Sequence, residues 1–257
     1  MFDNIKPLLD VRRDDHVLHV RLNTPENGNI VTEPLLDELI SVLAAVRTEP
    51  GIRVLTLSGA GDDFCLGADR HEFDRLIAED PSGALIQNLG VKARQVCDGL
   101  AMSSVVTIAR VHGRVIGAGV AFAIFCDLRV GADDCRFRMP ELALGLPVAW
   151  GGALPRLVHE VGAARIRELI LTGDSFDAET ARELTVLHRT APPDEVDAVV
   201  AGWIRPLVRR APGALRTTKA ALNAHAGASR FADATLLEGD LLASVLAARH
   251  YARGVVP

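Results

Sequence analysis

Two stretches of the chain hold residue types at spacings that suit chemistry at a carbonyl group. The first is the glycine-punctuated turn His112-Gly113-Arg114-Val115-Ile116-Gly117-Ala118-Gly119, followed by an uncharged run to Cys126 and then Asp127. Ala118 is expected to open a helix, and the first amides of a helix have no partner inside it. Such amides, backed by the helix dipole, can hold an oxyanion. Glu141, in Met139-Pro140-Glu141, stands beyond a strand-like piece from Cys135 to Arg138 as a carboxylate that can carry a proton. The second stretch is Phe64-Cys65-Leu66-Gly67-Ala68-Asp69. Its small residues follow a buried strand and let a ligand approach the main chain.

The elements that must position these residues follow from periodicity and breakers. Leu8 to Arg12 and His16 to Leu22 alternate as a strand pair turned at Asp14-Asp15. Thr32 caps a helix whose apolar positions Leu35, Leu36, Leu39, Ile40, Leu43 and Val46 recur at helical spacing. Ile52 to Leu57 reads as a buried strand, Arg70 to Ile77 as a helix, Ile86 to Met102 as a long amphipathic helix and Val105 to Val111 as a strand. The polar EDPSGA segment between those two helices, broken by Pro81 and Gly83, is expected to be mobile. Helices are expected over 153–161, 162–171 and 178–184. After a break at Pro192-Pro193 only helices follow, over 196–210, 214–224 and 232–251. The shift near residue 190 divides the chain into a core, residues 1–195, and a helical region, residues 196–257.

Composition narrows the classes. With 257 residues, 49% hydrophobic and 24% charged, the chain suits one domain with a small appendage. A net charge of -5 leaves no basic footprint for nucleic acid. The uncharged runs, Val115 to Cys126 and Leu142 to Pro155, fall short of the ~20 residues a membrane helix needs. The start has no apolar signal core, so a cytoplasmic location is expected. Cys65, Cys97, Cys126 and Cys135 form no CxxC pair and are expected to be reduced, with Cys65 and Cys126 as small core residues. Arginine outnumbers lysine 25 to 3, which reads as compositional bias of the source. No cluster has metal-ligand spacing, and neither GxSxG nor GxGxxG occurs.

Several stretches, in order, resemble one family: Pro25 to Ile30, Val54 to Gly61, Phe64 to Asp69, Gly113 to Asp127, and Pro140-Glu141 to Gly152. They are similar to the crotonase superfamily of enoyl-CoA hydratases and isomerases, over roughly residues 8 to 250. The resemblance implies an α/β fold of the crotonase/ClpP-like kind, with repeated ββα turns forming two near-perpendicular sheets in a spiral core and a C-terminal helical trimerisation region. It implies acyl-thioester substrates, usually of coenzyme A, no separate cofactor, and an oxyanion hole of two backbone amides at Ala68 and Ala118. Many members have glycine where Ala118 stands. A thioester enolate carries a full developing charge, and one preorganised donor is typically worth ~3 kcal/mol of barrier.

The acids depart from the hydratase pattern. Hydratases of the superfamily generally place one glutamate three residues after the position of Ala118 and a second twenty residues later. Here these are Ala121 and Glu141. Hydration is served by two carboxylates in different states, whereas one carboxylate can shuttle a proton between two carbons. The expected function is isomerisation of a 3-enoyl to a 2-enoyl thioester by Glu141. Hydration, decarboxylation and thioester hydrolysis are the alternatives, and a non-catalytic thioester-binding subunit is the alternative of another class.

Leu66, Gly67, Asp69, Arg70, His71, Gly117 and Trp150 are the expected substrate-binding residues, with Leu144 and the segment 79–92 also shaping the acyl pocket. For Asp69 a turn-capping role competes, for His71 and Glu72 a solvated helix face, and for Trp150 a place in the core. Asp127 and His112 read as structural. Family members usually end in a helix that contacts coenzyme A of a neighbouring subunit, and this chain stops roughly where that segment would begin. Arg70 is a candidate for the phosphates, and an acyl-carrier-protein thioester is an alternative to the CoA thioester. The Ala- and Leu-rich helices after Val196 imply a homotrimer or a dimer of trimers.

Overall fold

The computed structural model describes residues 7–148, 150–227 and 238–254. Strands β1 (Leu9–Asp14) and β2 (Val17–Leu22) form the antiparallel pair that their alternation predicts. β2 then pairs in parallel with β3 (Val54–Gly59), and β3 with β4 (Val106–Val111). β3 and β4 are almost wholly buried, as strands covered on both faces must be, which is why they read as apolar runs rather than alternations. β6 (Leu128–Ala132) and β9 (Arg189–Ala191) extend the sheet to six strands in the order β1-β2-β3-β4-β6-β9.

A second sheet is built from three very short strands in the order β5-β7-β8: β5 (Arg114–Ile116), β7 (Arg136–Arg138) and β8 (Phe176–Asp177). Cys65 bridges to Val115 and Ala68 to Val31, so the small-residue stretch runs along the edge of this sheet.

Helix α1 (Glu33–Thr48) starts where Thr32 accepts the Leu35 amide, and its predicted apolar face is buried against α3 (Ala84–Ala101). Helix α2 (Arg70–Glu79) is capped by Asp69. The turn between α2 and α3 is closely hydrogen-bonded: the Asp80 carboxylate accepts from the Ser82 amide at 3.0 Å, the Ser82 hydroxyl at 2.5 Å and the Leu85 amide at 3.3 Å.

Helix α4 (Ala118–Ile124) is buried on every side and apolar throughout. At its C-terminal end Arg129 donates to the carbonyls of Ile124 and Cys126 at 3.3 and 3.1 Å, and Arg156 donates to Ile124 at 2.6 Å. Both guanidinium groups pair with Glu160, and the cations sit where the helix dipole is negative. Helices α5 (Ala153–Val161), α6 (Ala163–Thr172) and α7 (Ala178–Glu183) complete the first part of the chain.

Helices α8 (Val196–Leu207) and α9 (Pro212–Gly227) follow, with Pro206 inside the last turn of α8. The expected helix over 232–251 is found as α10 (Glu238–Gly254), and its expected residues 232–237 lie outside the described residues. Lys219 of α9 ties this region to the core. Its ammonium pairs with Asp127 at 2.7 Å and donates to the Val105 carbonyl at 2.8 Å. α10 packs on α2 and α3 of the same chain.

Candidate active site

The two stretches singled out in the sequence meet at one cavity of about 90 Å³. Gly67, at φ +93°, brings its loop so close to the end of β5 that a Cβ there would lie 3.0 Å from the Ile116 carbonyl and 3.7 Å from the Ala118 amide nitrogen. The loops are laced by bonds from the Ile116 amide to the Cys65 carbonyl at 2.9 Å and from the Cys65 amide to the Arg114 carbonyl at 3.3 Å. On the other side, the Val31 amide donates to Gly67 at 2.8 Å and the Asp69 amide to Val31 at 2.9 Å. These bonds fix the backbone on both sides of Ala68, whose own amide has no backbone acceptor among the described residues. At Ala118, the Gly117 amide is taken by Arg138 at 3.0 Å and the Gly117 carbonyl by Ala121 at 3.2 Å. The Ala118 amide, first in α4, likewise has no backbone acceptor among the described residues. Both alanines line the cavity.

Glu141 faces this pair. It opens a single 3-10 turn, Leu142–Leu144, and its backbone carbonyl is fixed by the amides of Leu144 and Leu146 at 3.0 and 2.9 Å. A Cβ on Gly117, which stands at φ 49° and ψ -110°, would lie 3.1 Å from Glu141 Oε1. The carboxylate thus lies against the turn that presents the Ala118 amide, and only glycine leaves room for it. Glu141 Oε2 is shielded from solvent and has no hydrogen-bond partner among the described residues. Burial pushes its carboxyl above the ordinary value of 4.5, partly offset by a backbone hydrogen bond. A carboxylate of raised pKa, next to those two amides in an apolar cavity, is equipped to take a proton from carbon while the amides receive the charge.

Of the residues expected at the site, Leu66, Gly67, Ala68, Arg70, Gly117, Ala118, Glu141 and Trp150 line the cavity. Asp69 and His71 do not. The Asp69 carboxylate accepts the His71 amide at 2.9 Å as the cap of α2, and His71 lies on the exposed side of that helix. The segment 79–92 is also absent from the lining, because α3 is engaged by α1 and α10. In its place come Phe73, Leu146 and, from the far end of the chain, Leu242 of α10. Arg249 of α10 also donates to the Leu144 carbonyl at 3.0 Å, on the turn that carries Glu141. Phe73 lies in the segment from Arg70 to Ile77, which reads as a helix in the sequence. No sequence signal places Leu242, over a hundred residues from Glu141, at the same wall.

The remaining candidates are structural. Asp127 accepts from the Thr107 amide, the Thr107 hydroxyl and Lys219. His112 Nε2–H donates to the Gly61 carbonyl at 2.9 Å while Nδ1 accepts from Arg110 at 3.0 Å, and burial lowers its pKa. Cys65 and Cys126 are buried thiols pushed up to about 12 by desolvation, far from reactive thiolates. Ala121, where hydratases of the superfamily carry a further acid, is fully buried within α4 and does not line the cavity.

Residues 12–256 match the family described as enoyl-CoA hydratase/isomerase. The chain belongs to that family. This places it in the crotonase superfamily and confirms the α/β crotonase fold expected from the sequence. Among curated relatives, the mevalonyl-coenzyme A hydratase SIDH of Beauveria bassiana is 35% identical over 212 residues, covering 80% of this chain and 75% of the relative. The 2,3-dehydroadipyl-CoA hydratase of Escherichia coli is 30% identical, covering 83% of this chain and 81% of that one. Among solved structures, Pseudomonas aeruginosa AtuE superposes with a TM-score of 0.81 at 28% identity, covering 98% of this chain and 92% of the other. Among the described residues, no helix is long and apolar enough to cross a membrane.

Proposed function

We propose that this family member moves the double bond of an enoyl thioester from the β,γ to the α,β position, with Glu141 as the single proton carrier. The observation that carries the reading is one desolvated carboxylate, its Oε2 without a partner among the described residues, on the same cavity as two backbone amides that have no backbone acceptor among the described residues, with Ala121 outside that cavity. The thioester carbonyl oxygen accepts hydrogen bonds from the amides of Ala68 and Ala118. Glu141 Oε2 takes a proton from the α-carbon. The C–H electron pair passes into the dienolate, whose charge rests on the carbonyl oxygen. The same carboxyl returns the proton to the γ-carbon, leaving the double bond between the α- and β-carbons. Proton, carboxylate and electron pairs balance without an added reactant.

The raised pKa of Glu141 makes it a stronger base than an exposed glutamate, so activity is expected to rise with pH through a midpoint above 4.5. Each amide contributes ~3 kcal/mol toward stabilising the dienolate. The substrate is read as a coenzyme A thioester, with exposed Arg70 at the rim available to its phosphates. The protein is further read as a cytoplasmic homotrimer or dimer of trimers. Exposed Leu222, Leu241 and Tyr251 of α9 and α10 supply apolar surface for that contact.

Hydration is the second reading, favoured by the names of the curated relatives, which are hydratases. It would require Glu141 alone to activate water and deliver the α-proton. Incubation with β,γ-enoyl-CoA and α,β-enoyl-CoA, followed by product identification, separates the two. The expected product from the first substrate is the α,β-enoyl thioester. Rapid water addition to the second with no double-bond migration from the first would overturn isomerisation in favour of hydration.

A further inference from the structure

Among the described residues the cavity has one buried, unpartnered polar side-chain atom that proton transfer does not use. Trp150 is 8% exposed, walls the cavity, and lies 6.5 Å from Phe73 with the rings tilted by 39°. Its indole Nε1 is shielded from solvent and has no hydrogen-bond partner among the described residues. An indole N–H is a donor only, and leaving it buried without an acceptor is costly. Native proteins keep few such groups, and those they keep call for a reason. Glu141 Oε2, the other orphaned side-chain atom on this cavity, has one in the proton it carries. The neighbouring side chains of Leu66, Phe73, Leu144, Leu146 and Leu242 are hydrocarbon and offer no acceptor. A phenylalanine would wall an all-hydrocarbon pocket equally well, without the stranded donor.

We infer that Trp150 is a specificity-determining residue, and that the acyl group of the substrate carries a neutral oxygen, hydroxyl or carbonyl, that accepts its N–H. A second carboxylate is disfavoured. It would share an apolar cavity with Glu141, and the one cation among the described lining residues, Arg70, is exposed at the rim. The small volume, about 90 Å³, places this oxygen on a short acyl chain. The inference rests on the acyl-thioester reading of the site but not on the direction of the reaction.

Saturated thioesters test it, because they can neither isomerise nor add water. Calorimetric titration of the full chain with butanoyl-CoA, γ-hydroxybutanoyl-CoA, γ-oxopentanoyl-CoA and succinyl-CoA gives four affinities. At least one neutral oxygenated ligand is expected to bind about tenfold or more tighter than butanoyl-CoA, and succinyl-CoA no tighter. Trp150→Phe should remove that preference, read as the ratio of oxygenated-ligand to butanoyl-CoA affinity within the variant. The Trp150 indole N–H resonance of the unaltered protein, distinguished from that of Trp203, should move downfield with the oxygenated ligand only. Equal affinities, an unmoved resonance or an unchanged preference in Trp150→Phe overturns the inference. Preferred binding of succinyl-CoA overturns the neutral-oxygen assignment. If none of the four binds, the thioester reading itself falls, and this inference with it.

Discussion

Glu141 is a carboxylate kept at some expense. Its side chain is desolvated, its Oε2 has no partner among the described residues, and its carboxyl is raised above 4.5. A group whose pKa is higher folded than unfolded binds more protons in the folded state. Its contribution therefore favours folding at acid pH and is lost as pH rises from about 4.5 through the folded pKa. Glu141→Gln removes the charge and keeps the shape. The variant is expected to melt higher than the unaltered protein at pH 8, with the difference shrinking toward pH 4.5. Thermal melts across that pH range would contradict this if the two curves ran parallel. At this scale the structure brings Ala68, Ala118 and Glu141, all singled out in the sequence, to one cavity. Asp69 and His71 were less legible, because sequence adjacency to a binding turn does not say which way a helix-capping side chain faces.

The elements that hold the site are two loops laced edge to edge. Asp63, at the end of one, accepts from Arg114 of β5 through Nε at 2.9 Å, Nη2 at 2.7 Å and the backbone amide at 2.9 Å. The Arg114 guanidinium holds the Asp63 carboxyl below the usual carboxylate range. Behind that loop, buried Asn29 donates to the carbonyls of Ala60 and Asp63 at 2.8 and 2.9 Å. Asp63 lies five residues before Ala68, and Arg114 four before Ala118, so the pair ties together the two loops that carry the amides. Asp63→Asn is expected to lower kcat about ten- to hundredfold with KM changed little, since misplacement weakens transition-state contacts more than ground-state binding. Steady-state kinetics decide this, and a rise in KM with kcat intact would assign Asp63 to binding instead. Long elements such as α1 and α3 were legible from their periodicity. β5 and β8, three and two residues long, have no period to read, and of the second sheet's strands only β7 was legible, as the strand-like piece from Cys135 to Arg138.

Across the whole molecule, the C-terminal helices do more than follow the core. Lys219 reaches Asp127 just beyond the end of α4, and α10 brings Leu242 to the cavity and Arg249 to the turn of Glu141. Among the described residues the last strand, β9, ends at Ala191, near the composition change around residue 190. That change could not report that the last helix returns to the site, because such a contact depends on packing between segments a hundred residues apart. Leu171, Leu222, Leu241 and Tyr251 remain at least half exposed. For a trimer, sedimentation at micromolar concentration should give about three times the 27.5 kDa chain mass. A monomer under those conditions would contradict that assembly.

The central claim is that Glu141 alone moves the α-proton of a bound thioester. Deuterium incorporation at the α-carbon of butanoyl-CoA in deuterated water, followed by mass spectrometry, reads that step directly. The unaltered protein is expected to incorporate label. Glu141→Gln should slow incorporation by about a hundredfold or more while binding the thioester with near-normal affinity. Exchange by Glu141→Gln at the rate of the unaltered protein would contradict the account, as would thioester binding by the unaltered protein without exchange.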